Sequence, residues 1–109
     1  MGSHLGDLAQ LILLALIRLG REAYGVAIAD ELARRAGRDA TLGAVYKTLS
    51  RLEQKGYVRT RMGPPTPERG GRGKRYFELT GSGRRSLAAS LEAIQRLSTG
   101  VEVLRPKRS

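Results

Sequence analysis

Lys47 and Arg51, one helical turn apart, and Arg69, Arg72, Lys74 and Arg75 further along are the side chains of this chain best suited to chemistry. That chemistry is neutralisation of phosphate. Between Lys47 and Arg85 stand eleven Lys and Arg against Glu53, Glu68 and Glu78, so this segment carries +8 of a total charge of +10. Residues 1 to 46 balance at five against five, and residues 86 to 109 add +2. A phosphate-binding face gathers cations in this way, whereas a merely solvated surface spreads them. Arg outnumbers Lys sixteen to four, which suits bidentate phosphate contacts and equally reflects plain compositional bias.

Bond-making chemistry is poorly provided for. The chain has no cysteine, hence no disulfide, thiol redox centre or thiolate metal site, which fits a reducing cytoplasm. Its one histidine, His4, lies in a Met-Gly-Ser-His start that is either native or a cloning remnant, and residues 1 to 4 are set aside. No Ser-His-Asp or Cys-His arrangement can be built, and no carboxylate pair has a catalytic spacing. Gly73-Lys74 faintly suggests a phosphate loop, but Arg75 stands where Ser or Thr is required and no glycine lies five residues before Gly73. A protein that is not an enzyme, without cofactor or metal, is expected. The apolar run from Leu11 to Ile17 is too short to span a bilayer and has the wrong flanks for a signal peptide.

The elements that must position the cations are mostly helical. Leu5, Leu8, Ile12 and Leu16 share one face of a first helix over residues 5 to 19, while Leu11, Leu14 and Ile17 occupy neighbouring faces. A helix apolar nearly all round needs more than one cover, supplied by a second subunit or by the chain itself. A second helix runs from about Tyr24 to Ala36, with Ile28 and Leu32 inward and Gly37 as its stop. Arg34, Arg35 and Arg38 at its end either complement the helix dipole in solvent or touch a nucleic-acid backbone.

Thr41 is placed to cap a third helix and Gly56 to end it. Leu42, Val45, Leu49 and Leu52 form its predicted buried stripe; Gly43, Ala44, Lys47, Arg51 and Gln54 lie opposite. Small residues at the start of that face admit close approach to a groove wall, and the cations then reach bases or phosphates, although a solvated face has a similar composition. Tyr57 to Arg61 and Arg75 to Leu79 read as strands, with one of Tyr76 and Phe77 in the core. The connecting segment Met62 to Lys74, with three prolines and four glycines, either lays guanidinium groups into a minor groove or is a mobile solvated loop. After Thr80 or Ser82 a last helix carries Leu87, Leu91, Ile94, Leu97 or Ser98, and Val101 in an approximate three-four repeat, the seam of a coiled coil or of a helix laid on a partner. Residues 105 to 109 read as a frayed tail.

The order of these pieces resembles the PadR-like winged-helix transcriptional regulators across about residues 5 to 98. The matching pieces are Leu11 to Leu16, Tyr24-Gly25, Leu42 to Tyr46 with Leu49 and Arg51 to Glu53, Gly56, and Gly71 to Thr80 followed by Gly83. The resemblance implies a mainly α fold with a small antiparallel hairpin: a winged helix-turn-helix over residues 5–80 and a C-terminal dimerisation helix over 81–104, with flexible ends at 1–4 and 105–109. It implies a third helix in the major groove, contacting through Thr41, Gly43, Ala44, Tyr46, Lys47 and Arg51. Wing contacts fall to Arg69, Arg72, Lys74 and Arg75. For Tyr46, a ring packed on the helix flank and a hydroxyl on phosphate are both open.

One helix after the wing corresponds to the short branch of that family. Some short members hold flat hydrophobic compounds between subunits with a tryptophan; this chain has none, so a small hydrophobic effector between the first and last helices has no residue to support it. The expected function is a cytoplasmic, homodimeric, sequence-specific regulator of transcription, a repressor on an inverted repeat of double-stranded DNA. Leu8, Leu11, Leu14, Leu87, Leu91, Ile94 and Leu97 are its expected dimer interface. A basic RNA-binding or ribosome-associated protein, and a winged helix that meets an acidic protein, are the rival readings.

Overall fold

A computed structural model of the chain describes residues 5–65 and 73–104. Helix α1 (Asp7–Leu19) leads through a 3-10 turn (Gly20–Glu22) to α2 (Gly25–Ala36) and α3 (Leu42–Gln54). Strands β1 (Val58–Met62) and β2 (Arg75–Leu79) follow, then α4 (Gly81–Ser98) and a closing 3-10 turn (Glu102–Leu104). The expected loose ends, 1–4 and 105–109, and the wing cations Arg69 and Arg72 lie outside the described residues.

Residues with one local use set the boundaries. Gly37 adopts a left-handed φ of 61° after α2, and the Arg38 amide donates back to the Leu32 carbonyl at 3.1 Å. Gly56 repeats the device after α3 at φ 80°, with the Tyr57 amide donating to Leu52 at 2.9 Å. Ile12, Leu13, Ile28, Val45, Leu49, Leu52 and Val58 are wholly buried, so α1, α2 and α3 share one core that β1 closes from the side.

β1 and β2 pair antiparallel, with Val58 opposite Leu79 and Thr60 opposite Phe77. Phe77 is the strand aromatic that enters the core, while Tyr76 is half-buried on the other face. The Phe77 amide donates to the Ala23 carbonyl at 2.9 Å, and Tyr24 forms an isolated bridge with Tyr76. Residues 23 and 24 thus serve β2 as a short third strand. Thr80 ties α4 to the same corner: its hydroxyl donates to the Gly56 carbonyl at 2.6 Å and accepts from the Gly83 amide at 3.0 Å. A Cβ on Gly83 would stand 2.2 Å from the Tyr57 carbonyl oxygen, so only glycine lets α4 cross there.

Two expectations are corrected. Leu42 is 43% exposed, because at the first helical position its side chain tilts toward the helix N-terminus and past the end of the core. The arginines expected at the end of α2 stand in ion pairs, exposed but not free in solvent. Glu31, buried on α2, takes Arg34 and Arg35 at 2.7 Å each and Arg18 of α1 at 3.5 Å. Arg38 reaches Asp7 at 3.0 Å. Its hydrogen bond and charge hold the Asp7 carboxyl below the ordinary carboxylate range. That pair's stabilisation is therefore present above the ordinary carboxylate pKa and is lost as pH falls through the lowered folded value.

The Glu31 carboxylate is shared by arginines of α1 and α2, and removing it leaves three guanidinium groups, each more than half exposed, without that partner. Glu31→Ala is expected to cost up to about 1 kcal/mol per exposed pair in urea unfolding, with Glu31→Gln in between. An unchanged midpoint for both would show that the cluster contributes nothing to stability.

Candidate nucleic-acid interface

The third helix begins where the Thr41 hydroxyl accepts the Ala44 amide at 3.1 Å. That bond satisfies one of the orphan donors of the first turn and sets the rotation of the helix. With Val45, Leu49 and Leu52 turned into the core, the opposite arc is fixed by 100° steps. Gly43, Tyr46, Lys47, Ser50, Arg51 and Gln54 are exposed along it, and Ala44 is half-buried at its edge. Ser50 lies in the middle of this arc and is absent from the residues expected from sequence. The helical phase alone would have found it.

Among the described residues no ion pair engages Lys47, Arg51 or Lys55. The hairpin cations are different. Arg59 reaches Glu78 at 3.1 Å and Arg61 reaches the other oxygen of the same carboxylate at 3.3 Å. Arg75 lies 3.5 Å from Glu53 on α3, with its guanidinium 5.6 Å from the Phe77 ring centre. Lys74 stands over the Tyr24 ring at 4.1 Å, and Arg61 over Tyr76 at 4.5 Å. Contacts of this kind contribute about 0.5–1 kcal/mol where water has access. The hydrogen bond from Arg59, with the charge of Arg59 and Arg61, holds the Glu78 carboxyl below the ordinary range, so this pairing survives mild acid.

Tyr46 resolves toward packing. Its ring centre lies 6.3 Å from that of Phe77, and a Cβ on Gly25 would fall 2.2 Å from its hydroxyl oxygen. Glycine at the start of α2 thus makes room for the tyrosine of α3, and the ring remains 43% exposed. Arg75 is tied to α3 through Glu53, while Lys74, beside it at the base of the hairpin, lies over Tyr24, the residue before α2. Arg59 and Arg61 of β1 were not among the expected contacts, although the charge count of the segment contained them.

The expected partner surface falls into two parts. Leu8, Leu11 and Leu14 are half-buried on the outer side of α1. Leu87, expected at the dimer interface, is instead 3% exposed and part of the core that holds α4 to its own chain, while Leu91, Ile94 and Leu97 rise from 36% to 52% to 85% exposure.

Comparison with known proteins agrees with this geometry. Residues 13–89 match the transcriptional regulator PadR-like family. A PadR family transcription regulator from hypervirulent Clostridium difficile superposes with a TM-score of 0.71 at 24% identity, covering 88% of this chain and 94% of that one. A PadR-like transcriptional regulator from Bacillus cereus gives 0.72 at 20% identity, covering 92% and 93%. A winged-helix DNA-binding protein from STIV gives 0.70 at 18% identity, covering 90% and 98%. No curated protein sequence matches the chain. Among the described residues no helix is long and apolar enough to cross a membrane.

The Thr41 cap is a structural role separable from any contact with a ligand. Thr41→Ala is expected to lower stability by about 1 kcal/mol and Thr41→Ser to restore it. Equal thermal midpoints for Thr41→Ala and the parent would show that the cap does not hold α3.

Proposed function

The chain belongs to the PadR-like transcriptional regulators, and from that premise we propose that it is a homodimeric repressor that recognises an inverted repeat in double-stranded DNA. The observation that carries the reading is the exposed arc of α3, on which Lys47, Arg51 and the neighbouring Lys55 have no carboxylate partner among the described residues. Cations left without internal partners can neutralise phosphate at no cost in broken pairs, and each releases a counterion on doing so.

In this reading residues 5–80 are the DNA-binding unit and 81–104 the dimerisation helix. Gly43 and Ala44 let the start of α3 approach the floor of the major groove. Lys47, Ser50 and Arg51 reach base edges or phosphates, Thr41 and Tyr46 flank the entry, and Arg69, Arg72, Lys74 and Arg75 hold the neighbouring backbone. Two α3 helices presented by a two-fold dimer require half-sites about one helical turn apart. The dimer forms through Leu8, Leu11 and Leu14 of one protomer and Leu91, Ile94 and Leu97 of its partner, apolar side chains that the protomer itself leaves partly or wholly uncovered. The protein acts in the cytoplasm, where DNA is accessible to it.

Selection of bound sequences from a random duplex pool tests the reading directly: a palindromic motif is expected, and failure to enrich any motif would favour an RNA or protein partner. On the selected site, Arg51→Ala is expected to cost about 1–3 kcal/mol at particular base positions. A loss equal on random DNA would reduce Arg51 to a phosphate contact. Arg72→Ala and Lys74→Ala should each make the log-log salt slope shallower by about one phosphate-equivalent, and an unchanged slope would remove the wing from the interface.

A further inference from the structure

Four side chains from three separate segments form a continuous stack at the base of the wing. Lys74 lies over the Tyr24 ring at 4.1 Å. Tyr24 meets Tyr76 edge to face, with ring centres 5.8 Å apart and planes at 81°. Tyr76 in turn carries the Arg61 guanidinium at 4.5 Å, and Arg61 donates to the Arg21 carbonyl at 3.0 Å. The stack therefore starts and ends on wing cations and passes through the turn that opens α2.

The backbone around the stack is close-fitting. The Gly63 amide donates to the Lys74 carbonyl at 2.7 Å. A Cβ on Gly63 would stand 2.6 Å from the Tyr76 ring, and one on Gly73 would stand 2.1 Å from the Gly63 carbonyl oxygen. Two glycines thus narrow the hairpin just beyond its last paired residues, Met62 and Arg75. That narrowing keeps Lys74 beside the ring of Tyr24.

We propose that Tyr24, backed by Tyr76, is a positioning residue for the DNA contact of the wing, holding Lys74 by its ring face in the orientation that duplex DNA meets. The proposal rests on the reading of the chain as a DNA-binding regulator. A ring face suits this task better than a carboxylate. It orients a cation without cancelling its charge, so the ammonium stays attractive to phosphate while held. Glu78 and Glu53 neutralise the arginines they hold; Tyr24 leaves Lys74 fully charged.

The role separates from mere packing through the hydroxyl and the ring. Tyr24→Phe keeps the ring and is expected to bind the selected duplex as the parent does. Tyr24→Leu keeps apolar bulk but loses the face, and should bind about two- to five-fold more weakly, with a salt slope shallower by about one phosphate-equivalent. Because Tyr24 acts through Lys74, Tyr24→Leu should add nothing further in a Lys74→Gln background. Additive losses in the double variant, or equal losses for Tyr24→Phe and Tyr24→Leu, would overturn the proposal. If the parent chain binds no duplex DNA, the functional reading fails by itself, and the wing proposal is still read from the free protein. There, amide hydrogen exchange at Lys74 to Phe77 should be faster in Tyr24→Leu than in Tyr24→Phe, and equal rates would refute it. Should Tyr24→Leu not fold, Tyr76→Leu against Tyr76→Phe, read again in the Lys74→Gln background, applies the same test through the ring that backs Tyr24.

Discussion

The rest of the structure depends on how β2 is held through Phe77. Its ring is buried at 3% exposure, its amide is given to Ala23, and its strand neighbour Thr60 lies on β1. A two-stranded hairpin is marginal in water by itself. Here one strand is fastened on both edges, to β1 and to the backbone before α2, and one of its side chains fills the core. The hairpin consequently inherits its direction from the helices, and every cation at its base has a fixed place relative to α3. The same residue supports Tyr46, so the flank of α3 and the root of the wing share one anchor.

Fixing the cations also divides them into two electrostatic classes. Those on α3 stand without carboxylates, while Arg59, Arg61 and Arg75 on the hairpin are paired. Exposed pairs contribute little to stability, about 0–1 kcal/mol each, but they define what a phosphate must displace. In the proposed DNA complex, contact through the unpaired α3 cations gains the full release of counterions, whereas contact through the paired arginines exchanges one anion for another. Lys74, held by a ring, belongs electrically with α3 and mechanically with the hairpin.

Much of this was legible in the sequence because single residues with narrow conformational uses mark the joints. Thr41, Gly37, Gly56 and Gly83 each stand where a cap, a left-handed turn or a close crossing needs them, and the 3.6-residue phase of α3 separated Val45, Leu49 and Leu52 from Lys47 and Arg51. The clamp on Glu31 was half legible, since Arg34 and Arg35 lie three and four residues after it on one helix. Arg18 and the Asp7 to Arg38 pair were not, because they join segments whose relative placement is a tertiary outcome. Lys74 over Tyr24 is the extreme case: the two lie on different elements, and nothing in their types distinguishes a ring that holds a cation from a ring that fills the core. Leu42 misled for a simpler reason, as periodicity locates a face but not where the core beneath it stops.

The last helix poses a physical question that the protomer does not answer. Up to Leu87, α4 is secured by Thr80, by the crossing at Gly83 and by burial; beyond Ala88 nearly every residue through Ser98 is exposed, Leu91, Ile94 and Leu97 included. A stretch of about three turns is shorter than the 12–15 residues at which isolated helices become even marginally stable in water, and its single ion pair, Arg96 with Glu92, adds only about 0.3–0.5 kcal/mol. Such a helix needs apolar surface to lie on. The outer side of α1 presents Leu11, Leu14 and Ile17 within the same chain, yet Leu91, Ile94 and Leu97 of α4 stay exposed. In the proposed dimer the two deficits cancel, the free end of one protomer's α4 covering the open side of its partner's α1. The spacing of the two α3 helices is then set by the same helices that complete the core, which couples operator geometry to the stability of the assembly.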